Sequence, residues 1–457
     1  MTGPRANAPD IHNIRAALTW AFAREGDVWI GVALAAASAP IWLEMSLLTE
    51  CRGWMEKALD HLDATDRGTR REMVLQCTLG LSLMFTQGGS SRPRAALTRA
   101  SELAESLQDF DYQLQALYGL VTICLRLEDF RGSLALARRC AAIAKRIADR
   151  EARSTADRIL SAPLFFLGEF AEALTCARRV YRRDKRPPYI VHSGYDLSIW
   201  ARCNVAQILW HQGLLDQSVQ AGRDVLADAE ASGNPVSLCV ALIWAGCPIS
   251  LRLGDLETAE RSIARLKDEA ENHGLSGYYA SGLGFEGQLA AIRGDVAAAE
   301  RLLRDALAGL REAQHEILYT PFLSGLAEVL ATAVRLDAGL AAADEALRRT
   351  EHNSAFWWMP EALRIKGEVL LLSDEADTTA AQDHFRRSLD LAQRQRALSW
   401  ELRTTMSLAR LQRDQGRIGE ARDLLAAVYG RFTEGLGTAN LREAKRLLDE
   451  LIDASGA

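Results

Sequence analysis

Apolar residues recur three and four positions apart along most of the chain, and many of these runs stop at a glycine before the next begins. Five phrases share one shape: FLGEFAEALTCARRV around Gly168, HQGLLDQSVQAGRDVL around Gly213, RLGDLETAERSIARL around Gly254, IRGDVAAAERLLRDAL around Gly294 and RDQGRIGEARDLLAAVY around Gly416. Each sets the glycine after a helical run and an apolar residue two positions later, followed by apolar positions at helical spacing. A glycine ends a helix in the left-handed conformation at low cost, so the pattern predicts helix, turn, helix. Looser copies place Glu128, Ala338 and Ala376 where the glycine stands, and the markers then step by 40, 45, 41, 40, 44, 38 and 40 residues. A period near forty is the mark of a helical repeat.

Small side chains tell how the two helices meet. Five positions after the marker stand Ala173, Ser218, Ala259, Ala299, Ala343, Ala381 and Ala421, and seven before it stand Ser161, Ala206, Cys247, Gly287 and Ala409. Facing small residues let antiparallel helices approach closely. The expected fold is all-α: tetratricopeptide-like helix-turn-helix repeats stacked into a right-handed superhelix, an α-solenoid. About ten hairpins are expected over residues 11–452, behind a disordered leader at 1–10 with Asp10 as a helix N-cap. The irregular stretch RDKRPPYIVHSGYD marks a bend at 183–196.

Composition narrows the function. A net charge of −6 gives no long-range attraction to nucleic acid or to an anionic membrane, so neither partner is expected. The local cluster Arg178, Arg179, Arg182, Arg183, Lys185 and Arg186 falls at a helix C-terminus, where cations complement the dipole. Eight scattered cysteines without a C-x-x-C pair or a signal peptide point to a reducing, cytoplasmic setting. The apolar run from Trp29 to Leu43 is broken by Pro40 and reads as a buried helix.

Catalytic signatures are weak. Gly282, Gly284 and Gly287 spell G-x-G-x-x-G, yet a dinucleotide turn needs a strand before the glycines, and here Gly287 is the small packing position of a first helix. Close approach of a neighbouring helix or a local break that admits a ligand would each account for the surplus glycines. No phosphate-binding G-x-x-x-x-G-K loop, paired-histidine zinc helix or G-x-S-x-G elbow occurs. The chain is expected to bind rather than catalyse, without cofactor or metal.

In tandem hairpins the first helices line the concave face. Positions two, three, six, ten and thirteen before each turn point into it. They give Trp200, Gln207, Trp210 and His211, then Trp244 and Arg252, Gln288, Glu328 and Arg335, Glu361 and Arg364, and finally Arg403, Arg410 and Arg413. An aromatic middle thus precedes a charged end. Aromatic and arginine side chains suit a protein-binding hot spot, and Trp beside Gln and His suits a small-molecule pocket. The tryptophans at this spacing fit the seam between hairpins equally well. AFWWMPEAL, with Trp357 and Trp358 before Pro360, reads as an apolar staple at a helix entry.

NIRAALTWAFAREGD (Asn13 to Asp27) resembles the junction at which bacterial multidomain signalling ATPases pass into a helical-repeat region. PEALRIKGEVLL and the stretch from Ala397 to Leu451 are similar to the C-terminal end of those regulators. Some members carry a winged-helix DNA-binding domain and others a nucleotide cyclase domain. The resemblance implies a regulatory sensor or interaction module whose partner is a protein segment or a neighbouring ATPase or output domain, with a small-molecule effector as the alternative. Since the chain starts at the junction, no catalytic residue carries over and DNA binding is not expected of it.

Overall fold

The computed structural model describes residues 8–147, 150–181, 196–372 and 377–456. Among them no strand occurs, and helices follow one another in antiparallel pairs. The chain is an all-α solenoid of tetratricopeptide-like hairpins. Ten pairs run from the helices Val28–Glu44 and Leu48–Asp60 to Leu398–Asp414 and Ile418–Tyr429, with Ala8–Ala21 before them and Ala439–Gly456 after. The first helix already includes Asp10, so that residue lies inside the helix instead of capping it. Most of the segment 183–196, where the sequence marks a bend, lies outside the described residues, as does the turn at Ala376.

The repeat chemistry works as its residues require. The turn glycines Gly168, Gly213, Gly254, Gly294 and Gly416 all have φ between 76° and 83°, and Glu128, in the glycine's place, is held at φ 59°. Ala173, Ser218, Ala259, Ala299, Ala381 and Ala421 are fully buried at the crossings. In the Gly213 hairpin the facing pair touches directly, Ser218 Oγ donating to the Ala206 carbonyl at 2.7 Å. One marker is displaced: the left-handed residue of its hairpin is Val334 (φ 57°), and Ala338 lies inside the helix Leu336–Asn353. The offset is four residues, about one helical turn, so side chains of the first helix keep their face.

Each first helix packs on the first helices before and after it, forming an inner layer, while the second helices form the outer one. The superhelix is wound so tightly that hairpin tips of one turn rest on the chain five hairpins further on. Ser46 meets Asn234, Gly89 N–H donates to the Gln314 carbonyl at 3.0 Å, and Trp357 N–H to the Phe166 carbonyl at 3.2 Å. Buried Glu128 accepts from Thr320 (2.9 Å), Arg349 (2.7 Å) and Asn353 (2.8 Å) across the same seam. Gly254 abuts Ala439. The concave face that the sequence reads as a groove is therefore narrowed to a half-open bore, and one apolar cluster extends from Ile11 to Leu451.

Candidate functional site

The bore is shaped by a local irregularity in the helical rod Pro235–Leu253, in which residues Leu242–Gly246 form a π-turn. Pro248 has no N–H, so the carbonyl four residues earlier, that of Trp244, loses its helical donor. Gln207 from the neighbouring first helix replaces it, its Nε2 donating to the Trp244 carbonyl at 2.6 Å. The other end of the same amide is used too: Gln207 Oε1 accepts from Arg252 Nη1 at 2.7 Å. Arg252 thereby sits among indole faces, 4.6 Å from the Trp210 ring centroid, 5.6 Å from Trp400 and 5.9 Å from Trp358. Burial pushes its pKa down to about 9, with Glu361 opposing and Arg403 adding to the shift, so the guanidinium stays cationic at neutral pH.

Across the bore stands Glu361, from the helix Met359–Leu371, with its side chain 5% exposed. Arg364 grips it from the same helix at 2.8 Å and Arg403 from the helix Leu398–Asp414 at 2.7 Å. Burial alone would raise its pKa, but the two guanidinium groups outweigh that and hold the carboxyl at about 2. Arg364 also reaches Glu328 at 2.8 Å.

Between these groups lies a cavity of about 490 Å³, lined mainly by first helices and their approaches, with Val296 and Leu303 from a second helix and the start of the last helix. Gln207, Trp244, Arg252, Gln288, Glu328, Glu361 and Arg403 all face it. Trp210 and His211 are buried behind the wall; the His211 ring stacks on Phe170 at 4.5 Å and its nitrogens have no hydrogen-bond partner among the described residues. Trp200 lines a second, smaller cavity of about 50 Å³ on the far side of Trp244. Arg364 is spent on carboxylates. Arg410 and Arg413 are not in the cavity wall either, Arg410 pairing with Glu443 and Arg413 reaching Glu450 at 3.5 Å on the last helix. Arg335 is not in the bore: with the turn at Val334 it becomes the N-cap position of the following helix and pairs with Glu300 on the surface at 2.6 Å.

Sequence reasoning missed Trp357, Trp358 and Trp400, which complete the aromatic side of the cavity. Trp357 and Trp358 precede the helix Met359–Leu371, where no helical register identifies a face. The signal available was the unusual density of aromatics before Pro360. The surplus glycines are also accounted for, inside the helix Ser276–Ile292: a Cβ on Gly284 would lie 2.2 Å from the Phe322 ring, and one on Gly282 2.7 Å from the Lys267 stem. Among the described residues no three potential metal ligands cluster. The rod 235–253 is apolar and long enough to cross a membrane, but the protein's own core buries 89% of it.

No family model matches the chain, and no curated protein matches it. Similar solved structures include a Rap protein complexed with competence and sporulation factor, 11% identical over 93% of this chain and 98% of that one, with a TM-score of 0.44. The human IFIT1 dimer with m7Gppp-AAAA is 13% identical over 99% of this chain and 95% of that one, TM-score 0.44. A signal transduction ATPase with numerous domains and a tetratricopeptide repeat sensor, from Pyrococcus horikoshii, is 10% identical over 97% of this chain and 71% of that one, TM-score 0.43. At scores and identities this low the likenesses carry no argument about the site.

Proposed function

We propose that the chain is a non-catalytic sensor module that takes a small molecule into its bore, as part of a bacterial signalling or transcriptional regulator. The observation that carries this reading is the narrowing of the concave face: seven of the side chains expected on an open groove instead surround a half-open cavity of about 490 Å³. That volume is of the order that holds a small ligand, and its wall combines indole faces with a few fixed polar groups, the usual make-up of such sites. The arginines expected to hold a protein segment along the groove are engaged by the chain's own carboxylates. The resemblance of Asn13–Asp27 and Ala397–Leu451 to signalling ATPases supports the regulatory setting. A ligand in the bore touches both superhelical turns at once, so its binding favours one packing of the turns over another, and that shift is what a neighbouring domain would read.

Gly325 provides the test. It faces the cavity, and a Cβ built there meets nothing nearer than 3.9 Å, so a side chain at this position starts without a clash and Gly325→Leu takes up part of the space. Thermal shift against a metabolite panel is expected to reveal ligands that stabilise the wild type, by about 2.7 kcal/mol at a hundredfold excess over Kd. Gly325→Leu should fold normally and lose that response. A response undiminished in Gly325→Leu, or none from the wild type across the panel, would defeat the reading.

A further inference from the structure

Five ionisable side chains face the large cavity: Arg252, Glu328, Glu361, Arg403 and Glu443. Four of them are neutralised within the protein. Glu361 is shared by Arg364 and Arg403, Glu328 takes Arg364, and Glu443 takes Arg410. Of these five, Arg252 alone has no carboxylate within ion-pair distance among the described residues. It makes a single hydrogen bond, from Nη1 to Gln207, and its remaining neighbours are the faces of Trp210, Trp358 and Trp400. Arg252 is half-buried, and ring quadrupoles with one amide are a weak match for a cation drawn partly out of water. Yet it is held in place by Gln207, whose own position is fixed by the orphaned Trp244 carbonyl. The Nε and Nη2 edges of the guanidinium are left without protein acceptors, in the fork geometry that suits a carboxylate. Gln288, also in the wall, makes no side-chain hydrogen bond among the described residues and offers a second polar contact.

Resting on the cavity reading above, we propose that the bore binds a small organic monocarboxylate. Its carboxylate docks on Arg252 and its flat or apolar body lies among Trp244, Trp357, Trp358 and Trp400. A single charge is specified by the rest of the wall. Glu328, Glu361 and Glu443 are balanced by Arg364, Arg403 and Arg410, so Arg252 leaves one uncompensated positive charge, which a monoanion neutralises while the second charge of a dianion finds no partner. The body of the ligand follows from the aromatic lining, which has room for flat or apolar groups but few free hydrogen-bonding partners.

The test is titration calorimetry on the full chain with matched probes: phenylacetate, indole-3-acetate and decanoate, each beside its primary amide, and phenylmalonate as a dianion. The carboxylates are expected to bind about tenfold or more tightly than their amides, the value of one charge-assisted hydrogen-bonded contact. Phenylmalonate should bind more weakly than phenylacetate, and tighter binding of it would overturn the single-charge assignment. Arg252→Gln should abolish the preference of acid over amide, while Arg252→Lys keeps part of it. The comparison on the wild-type chain needs no variant, so a folding defect in Arg252→Gln leaves the test intact. Equal binding of acids and amides, both lost in Gly325→Leu, would overturn the carboxylate assignment and leave the cavity reading standing. Carboxylate binding that survives in Gly325→Leu would put the anion site elsewhere and overturn it. No heat from either series at concentrations on the order of 1 mM would remove both.

Discussion

At the scale of single residues, two glycines in one helix have opposite sensitivities. A methyl on Gly284 would press on the rigid Phe322 ring, whereas on Gly282 it would meet only the flexible stem of Lys267. Relief of glycine's helix cost is worth about 1 kcal/mol at either site, and overpacking against a fixed ring costs about 1 to 3 kcal/mol. Gly284→Ala should therefore lower the urea midpoint while Gly282→Ala leaves it unchanged or raises it. Glu361 gives a prediction in pH. Its pKa falls from an ordinary 4.5 to about 2 on folding, because Arg364 and Arg403 outweigh its burial. The folded state thus binds fewer protons there than the unfolded one. The stabilisation is complete above about pH 4.5 and is lost as pH falls toward 2. The stability gap between wild type and Glu361→Gln, followed by urea denaturation, should narrow through that window.

Among the elements, the rod 235–253 decides the form of the site. Its proline forfeits a backbone hydrogen bond, and the amide that restores it also orients the cavity's arginine. Gln207→Leu leaves the Trp244 carbonyl buried without a donor, at a cost of about 1 to 3 kcal/mol. Pro248→Ala returns an N–H at the position that would normally serve that carbonyl, so the double variant should recover part of the loss in a denaturation cycle. The hairpins themselves were legible because each carries its own turn residue and small crossing residues. The exception, Val334, is informative: an apolar residue at φ 57° carries no mark in the sequence, and the spacing was then drawn to Ala338. A four-residue error preserved the face of Glu328 but carried Arg335 past the helix end.

For the molecule as a whole, stability depends on contacts between superhelical turns as well as along them. Glu128 is the main polar tie across that seam, 1% exposed and bonded to residues 192 to 225 positions away. Glu128→Ala leaves Arg349 to Glu316 alone, strips Thr320 and Asn353 of their acceptor and keeps the left-handed backbone, so it should cost about 1 to 3 kcal/mol by urea denaturation. Arg335→Ala breaks a pair whose arginine is 49% exposed and should cost about 1 kcal/mol or less. Equal losses from the two substitutions would mean that the seam contributes little.

The sequence determined the hairpins, their turns, their close crossings and the face that looks inward, because each of these follows from contacts within about forty residues that repeat along the chain. The curvature of the stack was not written at that range. It accumulates from small rotations between successive hairpins, and only when tips meet the chain five hairpins later does the inward face become a deep, half-open cavity instead of a groove. That contact between turns decided which tryptophans and arginines stand together, and left Arg252 as the cavity-facing cation without a carboxylate among the described residues.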